Sequence, residues 1–107
     1  MPYIWVTAWY PSHIRDEVIK KWVESRRKFP EDPSLSETVV SIANKSTKDG
    51  IKLVSIALVK EGKLQEALTY TGKTLIMFQD IEGFEYKTET WATIEESMEA
   101  LGVKMPE

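Results

Sequence analysis

Glu37-Thr-Val-Val-Ser-Ile-Ala-Asn-Lys-Ser-Thr47, then Lys48-Asp49-Gly50, then Ile51-Lys-Leu-Val-Ser-Ile-Ala-Leu-Val-Lys60: two alternating, β-branched runs enclose an Asp-Gly pair. That pattern is the strongest short-range signal of a β-hairpin. A two-residue turn at Asp49-Gly50 would pair Lys48 with Ile51 and mix bulky and small residues on both faces. A three-residue loop, Lys48-Asp49-Gly50 with Gly50 left-handed, would pair Thr47 with Ile51. Slipping by one residue exchanges the faces of a strand, so the choice matters. The second register sets Ile42 against Ile56 and Val40 against Leu58 on one face. It sets Ser41 against Ala57 and Ala43 against Ser55 on the other. It is preferred because it separates a bulky face suited to helices from a face with a small-residue centre.

Upstream, Tyr3 to Tyr10 is aromatic and β-branched and reads as a strand that Pro11 ends. Ser12 is the expected N-cap of a helix running to about Lys28. Ile14, Val18 and Trp22 recur at four-residue spacing, and Ile19 and Val23 widen the stripe. Asp16 and Glu17 in the first turn and Arg26, Arg27 and Lys28 in the last suit the helix dipole, so the basic run reads as a helix end rather than a binding patch. Asp16–Lys20 and Glu17–Lys21 are expected i,i+4 pairs. Pro30 and Pro33 mark a loop leading into the hairpin.

Downstream, Glu61-Gly62 ends the second hairpin strand. From Lys63 to about Asp80, Leu64, Ala67, Leu68, Thr71, Leu75 and Phe78 share one helical face. The stripe stays in phase across Gly72, which favours a helix over a strand at Thr74 to Phe78. Phe84 to Trp91 alternates as a strand does. Thr93 and Glu96 form a capping box, Ile94, Met98 and Leu101 the stripe of a short helix, and Gly102 its stop. The order is β-α-β-β-α-β plus a short C-terminal helix. This is an α+β, ferredoxin-like layout, read as one domain over residues 1–107. Right-handed crossovers give sheet order 4-1-3-2, with both long helices on one face.

The chain has 107 residues, 42% hydrophobic and 29% charged, with net charge −3 and no cysteine. That is ordinary for one globular domain and lacks the basic excess of a nucleic-acid binder. Disulfides and thiolate metal sites are excluded. No basic segment with an apolar run opens the sequence, and no apolar run is long enough to span a bilayer. The expectation is a cytoplasmic protein with no nucleic-acid or membrane partner.

If Ile4, Val6, Val40, Ile42, Val54, Ile56 and Leu58 meet the helices, the opposite face carries Trp5, Thr7, Trp9, Val39, Ser41, Ala43, Leu53, Ser55, Ala57 and Val59. A patch so apolar calls for a cover or a ligand. The layout, with Ile81-Glu-Gly-Phe-Glu-Tyr-Lys-Thr-Glu89 after the second helix, resembles the dimeric α+β barrel superfamily. That group includes antibiotic-biosynthesis monooxygenase-like, stress-responsive barrel and EthD-like proteins. The resemblance implies a homodimer, or a higher homo-oligomer, whose sheets meet face to face around an interior that takes an apolar or aromatic ligand.

Trp5 and Trp9 would wall that interior, and Ser41, Ser55 and Ala57 would leave room beneath them. Haem-degrading relatives in the superfamily use a histidine on the second helix. Lys63 to Asp80 has none, so no haem is expected. One histidine and no cysteine argue against a transition metal, and no other cofactor is implied. The hairpin lacks the aromatic signature of RNA-recognition domains. Tyr10-Pro-Ser-His13 stands where acylphosphatases need a glycine-rich anion loop. His13, at the end of the first strand, is the candidate proton-exchanging group. An exposed residue of the first helical turn is its plainer role. Glu85, Lys87 and Glu89 form a polar row expected to make cross-strand salt bridges at an edge. Two function classes follow: a small-molecule binder or cofactor-independent enzyme, or an interaction module whose sheet face only makes the oligomer.

Overall fold

The computed structural model describes residues 1–104 and Pro106. Strand β1 (Tyr3–Tyr10) runs to Pro11, where a one-turn 3-10 helix (Ser12–Ile14) leads into helix α1 (Arg15–Lys28). The hairpin strands β2 (Ser36–Thr47) and β3 (Gly50–Val59) follow, then helix α2 (Leu64–Ile76), strand β4 (Glu85–Trp91) and helix α3 (Ile94–Leu101). The strands form one antiparallel sheet in the order β2-β3-β1-β4, which is 4-1-3-2 counted from the β4 edge. The result is a small α+β fold with a four-stranded antiparallel sheet and three α-helices, compatible with a ferredoxin-like arrangement.

The helix boundaries follow from local chemistry. Ser12 does not cap α1: its side chain makes no capping bond, and the Ile14 N–H reaches the Pro11 carbonyl at 3.2 Å to close the 3-10 turn. Helix α1 stops at Phe29 because a residue before proline is pushed out of helical geometry. Lys21 does not reach Glu17. It pairs with Glu24 at 3.9 Å and with Asp80 at 3.7 Å, tying α1 to the segment after α2. Thr74, Leu75 and Ile76 are helical, so the stripe that crosses Gly72 did identify a helix.

The hairpin register corrects both sequence alternatives. Lys48 and Asp49 make the turn, and Thr47 pairs with Gly50. The Thr47 hydroxyl holds the turn, donating to the Gly50 carbonyl at 2.8 Å and accepting from the Asp49 N–H at 3.2 Å. Gly50 has φ +134°, outside the left-handed helical region expected, and is buried. A Cβ there would lie 2.5 Å from the Tyr10 carbonyl oxygen, so only glycine lets β3 start against the end of β1. Two register shifts in β2, between Thr38 and Val40 and between Val40 and Ala43, then set Val40 against Ile56 instead of Leu58.

The faces of β3 are reversed from expectation. Ile4, Val6, Ala8 and Tyr10 stand beside Ala57, Ser55, Leu53 and Ile51. These residues face the helices. Tyr10 and Ile51 cluster with Val18, Phe78 and Ile81, while Ile4 and Val59 cluster with Ala67. Val54, Ile56 and Leu58 therefore point to the open face, with Trp5 and Trp9. The physical reason lies at the strand ends: Ile51 and Val59 are 2% and 0% exposed and anchor the two clusters. The expected face assignment weighed only the small middle of that parity.

Helix α3 begins with the capping box read from sequence. Thr93 Oγ1 accepts from the Glu96 N–H at 3.2 Å, and Glu96 accepts from the Thr93 N–H at 2.9 Å. Gly102, at φ +71°, is the left-handed stop. The Thr93 backbone N–H holds the Glu96 carboxyl below its usual range, helped by the chain's amino group 3.5 Å away. A carboxyl with a lowered folded pKa stabilises the fold above its unfolded pKa of about 4.3 and stops doing so as pH falls through the folded value. Thr93→Ala should cost about 1 kcal/mol at neutral pH in urea unfolding. Between about pH 5 and pH 3 the thermal midpoint should fall more steeply in the native protein than in Glu96→Gln. Identical pH profiles would show that the box adds nothing.

Candidate functional site

Between the two core clusters the helices and the sheet do not meet. The helix-facing residues at mid-sheet are small, and a cavity of about 680 Å³ remains. Val6 and Ala8 of β1, Ser55 and Ala57 of β3 and Ser41 and Ile42 of β2 line its sheet side. Val18, Trp22 and Arg26 of α1 and Tyr70, Thr74 and Leu75 of α2 line its helix side. Thr38, Ser41 and Asn44 on β2 and Ile19 on α1 are exposed lining residues, so the cavity opens between α1 and the β2 edge.

One end of this opening is polar. The Tyr70 hydroxyl donates to the Phe29 carbonyl at 2.8 Å, with the Pro30 carbonyl 3.1 Å away, and accepts from Arg26 Nη1 at 3.3 Å. Glu31 stands 3.8 Å from the same Nη1. The Arg26 guanidinium lies 5.7 Å from the centre of the Trp22 ring, within cation–π range. Arg26 Nε and Trp22 Nε1 are both shut off from water and have no hydrogen-bond partner among the described residues. An unmet buried donor costs about 1–3 kcal/mol. Asp32, at the rim, accepts from the Ser34 hydroxyl at 2.6 Å and from the Ser34 N–H at 3.0 Å. These bonds, the hydroxyl's first, hold its carboxyl below the usual range.

The structure divides the residues expected to form one site. Ser41, Ser55 and Ala57 line this cavity. Trp5 and Trp9 lie on the opposite face, where Trp5 stacks on Trp91 with ring centres 4.5 Å apart. The small-residue deficit is real, but it opens toward the helices. His13 is exposed on the 3-10 helix and is not part of the cavity lining. Lys87 and Glu89 pair along β4 at 3.5 Å rather than across strands. Among the described residues no three His, Asp or Glu side chains gather into a metal-binding group. No described helix is long and apolar enough to cross a membrane.

Trp22, Arg26 and Tyr70 were missed as site residues. A signal for Arg26 was present: it continues Ile14, Val18 and Trp22 at the same four-residue spacing, onto the buried stripe. Reading it with Arg27 and Lys28 as a helix end hid that position.

No family model and no curated protein matches the chain. The cavity's chemistry therefore rests on its own residues.

Tyr70 is the strut between α2, the α1 end and the loop after it. Tyr70→Phe removes its bond to the Phe29 carbonyl and the acceptor for Arg26. It should lower stability by about 1 kcal/mol in urea unfolding with the circular dichroism spectrum kept. Unaltered stability would show that the strut carries no load.

Proposed function

We propose that this protein binds a small, largely apolar or aromatic molecule in the cavity between α1, α2 and the sheet. The observation that carries this reading is the cavity itself, about 680 Å³ between two intact core clusters. The space is open toward solvent between α1 and the β2 edge, so a ligand can enter it. Its volume falls within the range of small-molecule sites, about 300–1,000 Å³, as does its make-up of apolar walls with a few polar groups. Ser55, Tyr70 and Thr74 bring hydroxyls to the lining, each donating to a backbone carbonyl, of Val40, Phe29 and Tyr70 respectively.

Flat aromatic compounds should quench the fluorescence of Trp22 on binding. Ser55→Leu, which fills the sheet side, should weaken binding at least tenfold while leaving the fold intact by circular dichroism. A varied panel of such compounds that leaves the fluorescence unchanged would overturn the reading.

A second observation supports a homo-oligomer, and with it the dimeric α+β barrel arrangement. The open sheet face carries Trp5, Val54, Ile56 and Leu58, with Trp9 and Trp91 at 37% and 46% exposure. Aromatic and aliphatic side chains grouped on one sheet face are the usual make-up of an interface, and a second copy of the chain is the proposed cover. In this arrangement the interface and the cavity lie on opposite faces, so oligomerisation and binding are compatible. Sedimentation equilibrium at micromolar concentration should give a dimer or higher oligomer, and Ile56→Glu should give a monomer. A native protein that sediments as a monomer would remove this part of the proposal.

A further inference from the structure

We propose that α3 is a clasp between two copies of the chain. Its apolar stripe lies on the hairpin end of the second copy's open sheet face, where Glu95 and Glu99 meet Lys45 and Lys52 of that copy. The inference rests on the homo-oligomer reading above and adds the element that locks the two copies together.

Helix α3 has eight residues and buries none of them. Ile94, Met98 and Leu101, at four- and three-residue spacing, form its apolar stripe. Ile94 and Leu101 are 61% and 78% exposed. The capping box fixes the first turn, but a helix this short is marginal in water without tertiary contacts. The stripe therefore calls for a cover. Glu95 and Glu99, four residues apart, share one helix face, and α3 holds no basic residue. The cover that suits it is apolar with a basic border.

The open sheet face has such a corner. Lys45 stands directly opposite Lys52, which pairs with Trp9, and Lys48 sits in the adjoining turn. Like charges directly opposite each other in a sheet are unfavourable. Among the described residues, neither Lys45 and Lys52 nor Glu95 and Glu99 form an ion pair. An acidic helix set on this corner relieves the lysine repulsion and covers Val54 and Trp9 beside it.

Distance assigns the contact to a second copy. Helix α3 begins just past Trp91, which is in register with Tyr3 and so with Leu58. From Leu58 to Lys52 is about 20 Å along β3 at 3.4 Å per residue. Helix α3 is about 12 Å long, and Glu96 in its first turn is held at the chain's own amino group. It therefore cannot carry Glu95 and Glu99 to the lysines of its own copy. The Trp91 corner and the lysine corner are diagonal to each other on the face. A two-fold axis lying between two facing sheets brings each corner of one copy onto the other corner of its mate, so both clasps close together.

The test is charge exchange, read by sedimentation equilibrium at low ionic strength. Glu95→Lys/Glu99→Lys and Lys45→Glu/Lys52→Glu should each weaken self-association about tenfold or more, because like charges then face each other. An equimolar mixture of the two variants should associate within a few fold of the native protein, since each α3 again meets the opposite charge on the other chain. Lys20→Glu/Lys73→Glu makes the same change of net charge on the helical side. It should associate as the native protein does and should not rescue the Glu95→Lys/Glu99→Lys chain. Leu101→Ser, at an exposed side chain, should keep the fold by circular dichroism and weaken the dimer. A native protein that sediments as a monomer would overturn the oligomer reading and the clasp with it. A native dimer that Glu95→Lys/Glu99→Lys and Leu101→Ser leave unchanged would keep the sheet-to-sheet dimer and overturn the clasp, leaving the stripe to another partner. A mixture no tighter than either variant alone would also overturn it, and so would equal rescue by the Lys20→Glu/Lys73→Glu chain.

Discussion

Ile51 and Val59, at opposite ends of β3, are the points on which the helical layer rests. At about 3.4 Å per residue they stand roughly 27 Å apart along the strand. Ile51 joins Tyr10, Val18, Phe78 and Ile81, and Val59 joins Ile4 and Ala67. Apolar burial at one end holds α1 and the segment after α2 on the sheet, and at the other it holds the first turns of α2. Between these ends Ser55 and Ala57 on β3 and Ser41 on β2 offer only short side chains to the helical layer. The cavity follows from where volume is placed along two strands, and it needs no special loop or hinge.

The edge of the sheet explains why the cavity opens where it does. Strand β2 carries two register shifts, and its helix-facing side is polar where Thr38 and Asn44 stand. Such an edge gives α1 little to pack on. Ile19 and Val23 accordingly remain 51% and 38% exposed, although they widen the α1 stripe in the sequence. The same shifts protect the edge itself, since bulged strands pair poorly with further strands. The β1–β4 side is closed differently: Phe84 stacks against Phe78 at 4.9 Å, and Gly83 lets the chain pass close to Pro11.

The elements and their order were legible because each has a local cause. Alternation marked the strands, the Leu64-to-Leu75 stripe marked α2, and Thr93, Glu96 and Gly102 marked both ends of α3. Side-chain parity was less legible, because it is decided by partners far away in the chain. The parity of β3 follows from Ile4 standing beside Ala57 and from Gly50 fitting against the Tyr10 carbonyl, and neither contact is visible within the hairpin. The candidate site was legible in part for the same reason. Ser41, Ser55 and Ala57 do sit at an unfilled space, but the helices, not Trp5 and Trp9, form its other wall. Arg26 shows a different limit. A basic residue near a helix C-terminus satisfies the dipole and the buried stripe at once, and only the tertiary structure shows that its guanidinium reaches Tyr70.

The stacking of Trp5 on Trp91 gives the molecule a spectroscopic property of its own. Two indoles 4.5 Å apart and 19° from parallel couple their excited states strongly. Trp22 sits on the other side of the sheet, beside a guanidinium, and Trp9 has the Lys52 ammonium 5.9 Å from its ring centre. Of the four tryptophans, one stacked pair thus lies on the open face, while Trp22 alone lines the cavity. The chain holds two optical reporters on opposite faces of one sheet, and what covers one face can be read separately from what fills the other.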